Sequence, residues 1–191
     1  MVTELPADDD VVATTARLRL RNWVDDDIAP FMRHLNTEPV MRWLGGVQTA
    51  EQFRAAYDRI QQCRRDHGHC FWIVERTADR ALLGFCGIKR VNAVDAPMIG
   101  AFEIGWRLRE DAWGHGYARE AAERSLDLAF GQYGAPDVVA ITVRQNAASW
   151  GLMHRLGLTR ARDLDFIDRR MPAAIAENTI VYRITKGDMT H

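Results

Sequence analysis

The nine residues from Trp113 to Ala121, WGHGYAREA, combine types and spacing that suit the binding of an anion. Gly114 and Gly116 can take backbone angles that other residues resist, and they leave room for a ligand beside the main chain. The run follows a strand-like segment and opens a helical one, and the first N–H groups of a helix have no partner within it. Those donors, with the positive end of the helix dipole, make a site for a phosphate or pyrophosphate. Two familiar phosphate motifs fail on spacing. A P-loop needs Gly-Lys-Ser/Thr at the helix start, but Gly116 is followed by Tyr117 and Ala118. A dinucleotide fingerprint needs a third small residue where Arg119 stands, and it normally follows the first strand of its domain.

Other reactive types lie nearby in sequence. Glu103 sits on the polar side of an alternating segment, where Phe102, Ile104, Trp106 and Leu108 interleave with Glu103, Gly105 and Arg107. Glu103 is either a functional carboxylate or the ion-pair partner of Arg107, two turns of the pleat away on the same face. Asn146 and Ser149 have the spacing of a helix N-cap and its third residue. Cys63, His67, His69 and Cys70 form a cluster whose spacing matches no common zinc site, so no metal is expected. His115, between two glycines, is expected to lie over a phosphate or in solvent.

The elements that must hold these residues follow from periodicity and punctuation. Arg17 to Arg21 alternates as a strand and Asp25 to Leu35 reads as a helix. Thr49 and Gln52 form a capping box for a helix with Phe53, Ala56, Tyr57 and Ile60 on one face, ending near Gly68. Strands are expected at Cys70 to Glu75, Leu82 to Val91 and Phe102 to Leu108, the first two joined as a hairpin. A helix with a small-residue face runs from about Gly116 to Tyr133, and Val138 to Val143 is a strand buried on both faces. A helix over Ala147 to Leu156 closes at Gly157, and strands follow near Leu158 to Ile167 and Thr179 to Thr185. The segment 102–157 thus forms a strand–helix–strand–helix unit with a right-handed crossover.

The chain has 191 residues, 47% of them hydrophobic, which fits one domain over 14–188 preceded by a polar, acidic arm at 1–13. No apolar run is long enough to span a membrane, and the N-terminus lacks the basic start and apolar stretch of a secretory signal. A formal net charge of −1 without a basic stripe gives no electrostatic footprint for nucleic acid. Three cysteines without a CxxC pair fit reduced thiols in the cytoplasm.

The run FEIGWRLREDAWGHGYAREA, with VRQNAASWGLMHRLGL beginning at Val143, resembles the GNAT superfamily of N-acetyltransferases. TARLRLRNWVDDD and FWIVERTADRALLGFCGI are similar to its branch related to ribosomal-protein-alanine N-acetyltransferases, so the resemblance runs over about residues 15–185. It implies a mixed α/β (α+β) fold: a central mixed sheet with splayed parallel strands, flanked by helices. It also implies acetyl-coenzyme A as co-substrate, with no metal, and transfer of its acetyl group to a primary amine by direct attack in a ternary complex. The acceptor is a small-molecule amine or a peptide or protein N-terminus, and a homodimer fits the family. By the same resemblance the pyrophosphate lies on the amides of Trp113, Gly114, His115, Gly116, Tyr117 and Ala118. The pantetheine arm pairs near Leu108 and Arg109, and Asn146 contacts the coenzyme further along. Glu103 is the implied base. Many relatives carry Gln or Arg at the position of Asp111, and a Tyr at that of Met153; Ser149 is then the nearest group for the departing thiolate. His34, Arg42, Trp43 and Trp72 are the substrate candidates. The alternative from another class is a module that binds and senses acyl-coenzyme A without turnover.

Overall fold

The computed structural model describes residues 10–189. Its strands are β1 (Val11–Thr14), β2 (Leu18–Arg21), β3 (Phe71–Arg76), β4 (Leu82–Arg90), β5 (Phe102–Leu108), β6 (Asp137–Val143), β7 (Thr159–Arg160) and β8 (Thr179–Thr185). Its helices are α1 (Ile28–Leu35), α2 (Glu38–Met41), α3 (Ala50–His67), α4 (Tyr117–Gly131), α5 (Ala147–Arg155) and α6 (Ala173–Ala176). The strands form one mixed sheet in the order β1–β2–β3–β4–β5–β6–β8–β7, and only β5 and β6 run parallel.

Strand alternation sorts the core into two layers. On one face Trp72, Cys86, Ile88, Phe102 and Ile104 pack against α4, whose Ala121, Ala122 and Ala129 let it sit close to the sheet. On the other, Ile73 and Phe85 meet Trp23, Phe31 of α1, and Phe53 and Tyr57 of α3. Full burial of each such side chain contributes about 1.5–3 kcal/mol. The α3 capping box is formed as expected: Gln52 N–H donates to Thr49 Oγ1 at 3.1 Å, and Thr49 N–H to Gln52 Oε1 at 2.8 Å.

Three expectations are corrected. Val11 to Ala13, assigned to a polar arm, belong to β1, which pairs with β2; residues 1–9 lie outside the described residues. The strand expected over Leu158 to Ile167 is only Thr159–Arg160, followed by a 3-10 turn at Arg162–Leu164. There the Asp165 carboxylate accepts the Val181 N–H at 3.1 Å, replacing the ladder bond a longer strand would make. Trp72, a substrate candidate, is 1% exposed within the α4 layer. Its neighbours Phe71 and Ile73 take the opposite face, so the one-residue alternation of β3 decides the matter.

Candidate active site

The loop between β5 and α4 turns at Gly114 (φ +78°) and Gly116 (φ +80°), both left-handed. Gly116 is the N-cap of α4, and no side chain caps that helix. Among the described residues no protein acceptor takes the N–H groups of Gly114 to Arg119. A Cβ on Gly114 would meet nothing within 4 Å, so the main chain there faces open space. His115 is exposed and Tyr117 and Ala118 are half-buried. Trp113 is 48% exposed, and its indole N–H donates to the Leu108 carbonyl at 2.9 Å.

A latch from the other end of the chain steadies this loop. Glu120 accepts from Thr15 Oγ1 (2.5 Å), the Arg17 N–H (2.9 Å) and Arg17 Nε (2.7 Å). Arg17 also donates to the His115 carbonyl at 3.0 Å and lies over the Tyr117 ring. Burial alone would raise the Glu120 carboxyl, but Thr15 and Arg17 outweigh it and hold it below its usual range. Arg17 was not singled out from sequence, because its partner stands 103 residues away.

The parallel pair β5–β6 is joined only at Phe102–Val138 and Glu103–Val139, while β6 stays paired with β8 through Val143. Beyond Glu103 the strands part. The Arg109 N–H donates to Leu83 O at 2.8 Å, and antiparallel alternation then turns Ile104, Trp106 and Leu108 toward the gap. The main-chain edge expected near Leu108 and Arg109 is therefore displaced. The Leu108 carbonyl and Arg109 amide have partners inside the protein, and the open edge centres on Trp106. Across the gap Asn146 caps α5, its Oδ1 accepting the Ser149 N–H at 3.3 Å. Met153 is buried on the same helix.

Glu103 pairs with Lys89, directly across on β4, at 2.9 Å. Arg107 is not its partner. The two acidic and basic groups are cross-strand neighbours, which sequence spacing within one strand cannot reveal. Lys89 and Arg107 line a cleft of about 240 Å³ between the sheet and helices α1 and α3, floored by Phe31, Phe71 and Phe85. Gly105 lies between Glu103 and Arg107, and a Cβ there would stand 2.9 Å from the Phe71 ring.

A second, open depression of about 410 Å³ lies where α1 meets the loop and includes His34, Arg109 and Asp111. Asp111 is held by Arg109 at 2.5 and 2.7 Å, which keeps its carboxyl below the usual range despite the burial that opposes it. The acid at this position is thus neutralised by its neighbour. Burial, then the charges of Arg109 and Arg33, lower His34 below the ordinary imidazole value. Arg42 is exposed, pairs with Glu38 at 3.5 Å and lies over Trp43; neither lines either cleft. Of the four substrate candidates, His34 alone borders one. The Cys63 thiol donates to the His69 carbonyl at 3.6 Å, and His69 Nδ1 contacts the Ile88 carbonyl at 2.9 Å. Among the described residues no group of three His, Cys, Asp or Glu could hold a metal ion, and no helix is long and apolar enough to cross a membrane.

Residues 17–159 match the acetyltransferase (GNAT) domain family. YkkB, an uncharacterised protein of Bacillus subtilis (strain 168), is 30% identical over 145 residues, covering 75% of this chain and 83% of YkkB. FsC-acetyl coenzyme A-N(2)-transacetylase of Aspergillus fumigatus is 33% identical over 86 residues, 45% of this chain and 37% of that protein. Among solved structures, an acetyltransferase from Agrobacterium tumefaciens has a TM-score of 0.78 at 24% identity, over 91% of this chain and 94% of its own. Spermidine N-acetyltransferase from Vibrio cholerae, in complex with CoA and spermine, has a TM-score of 0.68 at 15% identity, over 91% and 98%. The sheet, the glycine loop and these matches define an acetyltransferase fold. The chain belongs to the GNAT acetyltransferase family. The match is to that family as a whole.

Proposed function

We propose that this protein transfers the acetyl group of acetyl-coenzyme A to a primary amine, of a small molecule or a protein N-terminus, by direct attack within a ternary complex. The observation that carries the reading is the row of amides from Gly114 to Arg119 at the mouth of α4, which have no acceptor among the described residues. They fit a pyrophosphate: donors without acceptors, glycines where a side chain would strain the turn, and a favourable helix dipole. The coenzyme supplies an activated acetyl thioester. The edge at Trp106 suits its pantetheine amides, and Asn146 lies on the far wall.

Glu103 serves as base, directly or through a water, from the polar face of β5 where the strands part. The amine nitrogen forms the new C–N bond as the C–S bond breaks. Its proton passes toward Glu103, and the departing thiolate takes one from solvent or from Ser149. Holding both reactants in one cleft can lower the barrier by up to about 7–11 kcal/mol, and a placed base adds about 10²–10⁴-fold. Met153 cannot donate a proton, which favours the second reading, an acyl-coenzyme A sensor.

Release of free thiol from acetyl-coenzyme A against a panel of amines separates the two. Turnover that falls about 10²-fold in Glu103→Gln, with coenzyme affinity retained, is the expected result. Coenzyme binding should be lost in Gly116→Val. Background thiol release with every amine, alongside tight coenzyme binding, would leave the sensor.

A further inference from the structure

Arg107 is the anomaly of the cleft. Its guanidinium lies over the rings of Phe85 (5.3 Å) and Phe31 (5.8 Å), and its Nε is sealed from water without a hydrogen-bond partner. No carboxylate approaches it among the described residues. Burial lowers its pKa to about 10, which still leaves it charged at neutral pH. Cations withdrawn from water are ordinarily paired, so a half-buried guanidinium whose Nε is sealed and unbonded marks a place where a partner arrives from outside.

The rest of the lining points the same way. Arg59, Lys89, Arg90, Arg107 and Arg170 border the cleft, and among the described residues no Asp or Glu does. Two of the five are already neutralised, Lys89 by Glu103 at 2.9 Å and Arg170 by Asp168 at 2.6 Å. The floor is apolar: Phe71 stacks on Phe85 at 4.7 Å and Phe31 on Phe85 at 6.1 Å. At about 240 Å³ the space is smaller than the roughly 300–1,000 Å³ of drug-sized sites.

Resting on the acetyl-transfer reading above, we propose that the acceptor is a small amine that also carries a carboxylate and an apolar body, an amino-acid-like molecule, with Arg107 as the carboxylate's partner. The planar fork of an arginine matches a carboxylate through two parallel hydrogen bonds. The stacked rings receive the apolar portion, and the amine takes the place of Lys89 beside Glu103, on the same face of β5. A polyamine, which brings only positive charge, meets a wall of the same sign.

The test pairs L-phenylalanine, L-methionine and L-leucine with their decarboxylated amines and adds spermidine. Turnover is followed by thiol release, and binding to the protein saturated with coenzyme A by calorimetry. At least one amino acid is expected to exceed its decarboxylated partner and spermidine by tenfold or more in kcat/KM. Arg107→Met should close that gap, and Arg107→Lys should restore part of it. Equal or faster turnover of the decarboxylated amines or of spermidine would overturn the assignment while leaving acetyl transfer intact; so would an unchanged preference in Arg107→Met. If no amine turns over, Arg107-dependent binding of an amino acid upholds the carboxylate site and removes the transferase reading. Absence of both removes the two together.

Discussion

Arg21 and Arg107 stand at the two ends of one cross-strand row, Arg21–Ile73–Phe85–Arg107, on the same face of the sheet. Arg21 is buried and Arg107 half-buried, and their surroundings differ. Arg21 is 4% exposed and makes two bonds to Asp27, at 2.7 and 2.8 Å, and one to Glu75 at 3.0 Å. Burial alone would lower its pKa, but Asp27 and Glu75 more than cancel that and raise it. Arg107 is half-buried, its Nε sealed from water, and no carboxylate pairs with it among the described residues. The first arrangement is closed and holds β2, β3 and the turn before α1 together. The second is open, as expected of a site completed by a ligand.

Three measurements would break or sharpen that contrast. The largest effect is expected from Arg21→Met. It strands Asp27 and part of Glu75 as buried charges, costing about 3–5 kcal/mol, or a fall in Tm of roughly 6–20 °C for a domain of this size. A change under about 1 kcal/mol in chemical denaturation would show that the network is not structural.

An intermediate effect should come from pH. His69 is 1% exposed and is held below its ordinary value of 6.5, by burial first, against the opposing bond to the Ile88 carbonyl. The unfolded chain therefore takes up this proton at a higher pH than the folded one. The stability it contributes is complete above about pH 6.5 and is lost as pH falls below it, by at most about 1.4 kcal/mol per pH unit. Thermal melts of the protein and of His69→Gln between pH 7 and 5 measure the difference; parallel profiles would remove His69 as the cause. This group avoids the cost of a buried charge by staying neutral, an option closed to either arginine.

The smallest effect on stability belongs to Arg107→Met. An apolar side chain of similar length over Phe85 and Phe31 should leave Tm unchanged or raise it by the equivalent of up to about 1 kcal/mol. A loss comparable to that of Arg21→Met would mean that Arg107 is a structural cation after all.

Much of the fold was legible because its signals are local. The Thr49–Gln52 box, the alternation of Phe102 to Leu108, the small face of α4 and the glycines at 114 and 116 each reveal their role within a few residues. Asn146 and Ser149 were readable as a cap for the same reason. The misreadings share another cause. Trp72, a substrate candidate by resemblance, was placed in the core once the pairing of β3 set its face. The strand expected over Leu158 to Ile167 stopped early, because Asp165 reaches Val181 across the sheet. Arg107 was visible only as a possible partner for Glu103; the one available clue was its place on the polar side of β5.

The chain's own order of residues determined the helix starts, the alternating strands and an anion-binding turn after β5, since these depend on neighbours a few positions apart. Only the assembled sheet decided that Glu103 meets Lys89, that Arg17 clasps Glu120 beside the loop, and that Arg107 sits half-buried over aromatic rings with no carboxylate partner among the described residues. Partner choice for a charged side chain depends on strand register and on which helix covers which face. Those are set by contacts between segments far apart in the chain, and no local pattern records them.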